Sequence, residues 1–168
     1  MQAFSYETPT SVAEAVKAAA NGDAKIIAGG QSLLGAMKLG LAAPETLIDI
    51  GRIAELKTIR VESGQVVIGA LATHASVAAS PDVSRAIPAL AKLAGDIGDR
   101  QVRHRGTIGG SLANNDPAAC YPAAVLGLGA TIRTDRRSIA ADDFFTGLYE
   151  TALEADELIV SVSFPIPQ

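Results

Sequence analysis

Two glycine pairs constrain this chain more than any other feature. Gly29-Gly30 stands in Ala28-Gly29-Gly30-Gln31-Ser32 and Gly109-Gly110 in Thr107-Ile108-Gly109-Gly110-Ser111. Each pair follows an apolar or extended segment and precedes Ser and Leu, so the chain must turn twice in the same chemical setting. Backbone at bare glycines presents unhindered N–H groups to an anion, and two such loops can clamp one diphosphate. Paired glycines also serve as tight turns, or as points where two segments approach closely. Spacing alone leaves both readings open.

Around these loops the hydrophobic pattern predicts a small α/β lobe followed by a second lobe. Residues 10–20 carry Ser11-x-x-Glu14, a capping-box pattern, with Val12, Val16 and Ala19 on one helical stripe closed by Asn21-Gly22. Ala24–Ala28 and Thr46–Ile50 read as short buried strands. From Leu56 the pattern changes: LKTIRV and QVVIGA flank Glu62-Ser63-Gly64 and read as a β-hairpin, which puts the boundary between lobes at 55/56. Val83, Ile87, Leu90, Ala94 and Ile97 recur at helical intervals and predict one helix over 82–97 with Asp82 as its N-cap. Residues 106–116 read as a loop and Ala118–Leu128 as a helix ended by Gly129. Ala130–Thr134 and Glu157–Phe164 read as strands. The lobes are thus residues 1–55 and 56–168, of class α+β.

Composition excludes several functions. Fourteen Lys and Arg against eighteen Asp and Glu give a net charge of -4, which does not suit a general nucleic-acid binder. The lone cysteine, Cys120, rules out an internal disulfide and cannot alone hold an iron–sulfur cluster or structural zinc. No basic segment followed by an apolar run opens the chain, and no stretch approaches the roughly 18 apolar residues of a membrane span, so a cytoplasmic location is expected. No G-x-G-x-x-G is present, and Gly30-x-x-x-x-Gly35 is followed by Ala36-Met37, which disfavours Rossmann and P-loop readings. The two histidines, His74 and His104, lie in no hydrolase motif. No catalytic side chain is expected.

AGGQSLLGAMKLGLAAPETLIDI (28–50) and QVRHRGTIGGSLANNDPAACYPAAVLGLGA (101–130), in this order and with a terminal ELIVSVSFPIP, resemble the medium, FAD-binding subunits of molybdenum hydroxylases of the carbon monoxide dehydrogenase and xanthine dehydrogenase type. The resemblance runs through nearly the whole chain. It implies the two-lobed α/β FAD-binding domain also used by vanillyl-alcohol-oxidase-type flavoenzymes and the cell-wall enolpyruvyl reductase. It places Ala28, Gly29, Gly30, Gln31 and Ser32 around the FAD diphosphate, flanked by Ile26, Ile27 and Leu33, with Thr107, Gly109, Gly110 and Ser111 opposite. Asn114 and Asp116 lie alongside the cofactor, and Ile97 and Ile159 match apolar positions that contact it. The implied role is an oxidoreductase subunit that passes electrons onward from iron–sulfur clusters. Its implied partners are a molybdopterin-binding large subunit and a small subunit with [2Fe–2S] clusters.

Two departures stand out. Where the family has an aspartate, in a pattern like DPAAD, this chain reads Asp116-Pro117-Ala118-Ala119-Cys120, so the contact of Cys120 to the FAD ribose is in question. Family members also continue into a C-terminal α/β domain that helps cover the flavin. The rival readings are an assembly module that has lost flavin and a flavin reductase related to the enolpyruvyl reductase. Arg100, Arg103, His104 and Arg105 form either a solvated loop or a face for an acidic partner or the cofactor phosphates. Cys120 is expected to be a small packed residue and His74 a structural one.

Overall fold

The structure, a computed structural model, describes residues 2–167. Strands β1 (Ser5–Glu7), β2 (Ala24–Ile27) and β3 (Thr46–Asp49) form a parallel sheet in the order β1-β3-β2. Helices α1 (Val12–Ala19) and α2 (Leu33–Lys38) provide the crossovers that parallel strands require. The period of two in β3 sends Ile48 to the core beside Ala15 of α1 and Leu47 to a second cluster with Ile27 and Met37. Each face of the sheet is therefore covered by one helix. Ser11 caps α1 by accepting from Glu14 N–H, but the Glu14 carboxylate turns to Thr10 and leaves the capping box half closed. On the predicted stripe it is Ala15 that is fully buried.

The second sheet is antiparallel. It is built from β4 (Ile59–Glu62) and β5 (Gln65–Gly69), then β6 (Thr131–Thr134), β7 (Ser138–Ala140) and β10 (Ile159–Pro165), in the order β4-β5-β10-β6-β7. Ser63 and Gly64 both take positive φ, as a two-residue hairpin turn requires. Helices α3 (His74–Ala79), α4 (Pro81–Ala86), α5 (Pro88–Asp96), α6 (Arg100–Arg105), α7 (Ile108–Asn114) and α8 (Cys120–Gly127) separate β5 from β6. The main core joins Val66, Ile68, Ile132, Val162 and Phe164 of the sheet to Val83, Leu90, Ile108, Leu112, Tyr121 and Val125 of the helices. The short α9 (Ala141–Phe144) and the hairpin β8 (Phe145–Gly147) with β9 (Glu150–Thr151) complete the fold. Leu71 and Leu158 pack with Ile48, Ile50, Ile53 and Leu56, so a single apolar cluster ties the two sheets together.

Several expectations are corrected. Leu56–Thr58 is not strand: Ala54–Lys57 forms a 3-10 turn because Leu56 is drawn into the cluster between the sheets. The helix predicted over 82–97 is two helices, because Pro88 bars the preceding Ile87 from helical geometry and sends it to φ -141. Ser80, and not Asp82, caps the first of them by accepting from Val83 N–H. Residues 106–116 are not a loop but mostly helix, opened by the Thr107 cap. Arg100–Arg105 is likewise helical, capped by Asp99. The helix expected from Ala118 starts at Cys120, because Asp116 holds Ala118 N–H in a turn. Cys120 is exposed rather than packed.

Candidate functional site

Ligands of open parallel sheets bind beyond the carboxyl ends of the strands. Here β2 ends at Ile27 and opens into Ala28–Ser32, the floor of a cleft of about 670 Å³ between the two sheets. Ile26, Ile27, Ala28, Gly29, Gly30, Gln31, Ser32 and Leu33 line one side. Thr107, Gly109, Gly110, Ser111, Asn114 and Asp116 line the other, with Ile97 and Ile159 among the apolar walls. Cys120 alone of the expected residues does not reach the cleft, although its neighbours Ala118 and Ala119 do. Sequence reasoning missed the wall made by Thr151, Leu153, Glu154 and Glu157, and also missed Ala70, His74 and Val102. No glycine motif marks that wall, and a strand pattern starting at Glu157 was its one visible sign.

The two glycine loops do different work. A Cβ at Gly29 would sit 1.8 Å from the Arg105 carbonyl oxygen, so the first loop is pressed directly against the backbone at the end of α6. Gly30 follows with φ +72, a conformation that side chains disfavour. Beyond it α2 begins without a side-chain cap at Ser32. Among the described residues none of the N–H groups of Gly29, Gly30, Gln31, Ser32 and Leu33 donates to another protein group. Five consecutive open donors lining a cleft form an anion cradle.

The second loop was expected to present free donors as well, and it does not. Ile108 N–H donates to Ala72 O at 3.1 Å, Gly109 N–H to Ala70 O at 2.9 Å and Gly110 N–H to the Thr107 hydroxyl at 3.2 Å. Gly109 is a close-approach glycine, since a Cβ there would meet the Ala70 Cβ at 2.7 Å and the Ala70 carbonyl at 2.9 Å. Gly110 is exposed, with only the Thr107 hydroxyl near its missing Cβ. This side therefore offers the cleft a bare surface at Gly110, the Ser111 hydroxyl and the polar groups of Asn114 and Asp116. The left-handed Asn115 ends α7, and its side-chain amide donates to Gly147 O and Glu150 O, fixing the β8–β9 hairpin beside the rim.

Two buried titratable groups border the cleft. The Glu157 side chain is enclosed and receives two hydrogen bonds from Arg137, at 2.8 and 2.7 Å, which hold its carboxyl down at about 2. Arg136 bridges Asp135, Glu154 and Asp156, so the 152–158 wall is tied to the β6–β7 turn. His74 lies under the second loop, with its Nε2 against Gly106 and its ring 5.3 Å from that of Tyr121. Burial lowers its pKa to about 4, and neither its Nδ1 nor the Tyr121 hydroxyl has a partner among the described residues. Among those residues no cluster of His, Cys, Asp and Glu could hold a metal ion, and no helix is long and apolar enough to cross a membrane.

Comparison with known proteins agrees with this geometry. The family described as "FAD binding domain in molybdopterin dehydrogenase" matches residues 2–167. The carbon monoxide dehydrogenase medium chain of Hydrogenophaga pseudoflava is 45% identical over 168 residues, which is 96% of this chain and 58% of that protein. The nicotine 6-hydroxylase medium subunit of Paenarthrobacter nicotinovorans is 39% identical over 98% of this chain and 60% of its own length. A solved structure of the carbon monoxide dehydrogenase from Hydrogenophaga pseudoflava, lacking the Mo-pyranopterin moiety, superposes with a TM-score of 0.97 at 44% identity, covering 99% of this chain and 60% of that one. The expected two-lobed fold is thus the observed one, and the chain spans about three fifths of the relatives it matches.

Proposed function

This chain belongs to the family of FAD-binding domains of molybdopterin dehydrogenases, and on that premise we propose that it holds FAD in the inter-sheet cleft as the flavin part of a molybdenum hydroxylase. The observation that carries the reading is the run of open N–H groups from Gly29 to Leu33. A diphosphate needs several converging donors, and this run supplies them at the positive end of α2. The cleft is within the range of sites that enclose large ligands. Its apolar walls at Ile97, Leu158 and Ile159 suit the flat faces of a dinucleotide, while Ser111, Asn114 and Asp116 offer hydrogen bonds to its polar edges.

Bound flavin would supply the capacity to collect electrons and pass them on; the protein binds it, orients it and shields it from water. The electrons would come from [2Fe–2S] clusters on a small subunit, fed by a molybdopterin-binding large subunit, in a complex we assign to the cytoplasm. The parallel sheet (1–55) and the antiparallel sheet with its helices (56–168) are taken as the two lobes, because the two sheets fall on either side of that boundary. Purification and a visible spectrum test the proposal. A bound oxidised flavin gives its characteristic absorption, and Gly110→Val, which fills the approach to the second side of the cleft, should lose it while remaining folded. A folded wild-type chain that takes up no flavin when FAD is added would favour the assembly-module reading.

A further inference from the structure

We infer that the exposed surface formed by Tyr6, Arg52 and Arg105, extended along α6 by Arg100 and His104, docks an acidic face of the subunit that delivers electrons to the cleft. The inference rests on the reading of that cleft as a flavin site.

Charge is the first ground. The chain carries a net charge of -4, and Arg60, Arg85, Lys92, Arg136 and Arg137 are each matched with a carboxylate. Arg52, Arg100 and Arg105 are exposed and form no ion pair among the described residues. Arg103, on the same helix, is spent otherwise, donating to the carbonyls of Ile97 and Gly98. The charges of Arg52 and Arg105 both act on the Tyr6 hydroxyl, which places the three side chains together. Asp49 offsets part of this charge. Its carboxylate accepts from Tyr6 and from Gly51 N–H and pairs with neither arginine. The result is a basic island on an acidic molecule, which an acidic partner meets in one orientation and is repelled from in most others.

Composition and position are the second and third grounds. Tyr6 is 56% exposed on β1, an edge strand whose three residues are all exposed. Tyrosine beside arginine is the pairing that dominates the centres of protein interfaces. The island also adjoins the cleft: the Arg105 carbonyl packs on Gly29, and Val102 and Gly106 of the same segment line the cavity. A docking surface continuous with the cofactor loop brings an electron donor to the acceptor without any movement of the lobes.

The test uses the flavin-loaded full-length chain and the labelled iron–sulfur small subunit, mixed by stopped flow at low and at high salt. Arg52→Glu combined with Arg105→Glu should slow association about ten-fold or more at low salt, and the deficit should close at high salt. The neutral pair Arg52→Gln with Arg105→Gln should fall between, and Lys17→Glu, remote on α1, should change the rate less than about two-fold. Flavin content and melting temperature report separately on the fold, and the Gln pair stands in should the Glu pair unfold. Equal association by the wild type and both double variants overturns the proposal. So does an equal deficit in Lys17→Glu, and so do arginines already shielded from phenylglyoxal in the full-length chain alone, since a further segment of the same polypeptide would then occupy the surface. An absence of flavin in the wild type refutes the cofactor reading instead, while the labelled association still scores the docking.

Discussion

An alanine at position 29 would set its Cβ 1.8 Å from the Arg105 carbonyl oxygen, 2.6 Å from the carbonyl carbon and 3.1 Å from the Gly106 Cα. All three are backbone atoms, so no side-chain rotation relieves the clash, and the β2–α2 loop must separate from the end of α6. Overpacking of this kind costs about 1–3 kcal/mol, and a contact made wholly with backbone belongs at the upper end. If the loop opens to relieve the strain, its five N–H groups lose their common focus. The same 1–3 kcal/mol lost from FAD binding is roughly a 5- to 150-fold rise in Kd. Gly35→Ala is the matched control: it lies six residues on, inside α2, where an added Cβ meets nothing within 4 Å. That change should stabilise by up to about 1 kcal/mol through helix propensity and leave flavin binding alone. Urea unfolding of the cofactor-free proteins and FAD titration followed by flavin fluorescence measure both quantities. Stability and Kd in Gly29→Ala equal to those of Gly35→Ala would refute the close-approach argument.

Three further outcomes are expected. The His74 imidazole is held near 4 by burial against an ordinary 6.5, so as pH falls through that window the unfolded chain takes the proton first and stability drops, on the order of 2–3 kcal/mol; His74→Phe should flatten the loss in urea melts at pH 7 and pH 4.5. Glu157 is depressed from 4.5 to about 2 by its bonds from Arg137, so its contribution is present above pH 4.5 and lost towards pH 2. Glu157→Gln should be less stable at neutral pH and less sensitive to acid across that lower window, and a melt whose acid sensitivity matches the wild type would reject this. Cys120, exposed at the start of α8, should react with a thiol reagent in the folded protein, and Cys120→Asp should raise the melting temperature by favouring the helix N-terminus by about 0.3–1 kcal/mol; a lower melting temperature would show that position 120 is packed after all.

Elements set by local chemistry were legible in the sequence. The β4–β5 hairpin followed from Ser63-Gly64, and α1 from its serine cap. The Pro88 break was equally local and was passed over because Val83, Ile87, Leu90 and Ala94 keep helical spacing across it: all four are buried, with the two helices presenting their apolar faces to one core. The site was legible as a set of residues but not as a division of labour. Which glycine donors are open depends on Ala70 and Ala72, some 40 residues away in the chain, and no feature near Gly109 announces that its N–H is already taken. The wall at 151–158 is positioned by Arg136 and Arg137 reaching across from the β6–β7 turn. Pairings so distant leave no periodicity to read.

The place of β10 carries a consequence for how the chain is made. It follows every other strand in sequence, yet it lies in the middle of its sheet, bonded to β5 on one side and β6 on the other. During synthesis β4–β5 and β6–β7 can form as separate hairpins, each with one apolar edge unpaired, and nothing joins them until residues 159–165 have emerged from the ribosome. The register of β10 on β5 pairs Ser161 with Gly69, a loop closure across most of the chain, and such closures are slow. Ile159, which lines the cleft, arrives with this same strand. The cofactor pocket is therefore among the last parts to be completed, and the half-made sheet spends the interval as a target for chaperones or for pairing with another nascent copy. Arrest of translation before residue 159 should yield chains that bind chaperone and no flavin, and flavin capture by such arrested chains would show that the pocket closes without its central strand.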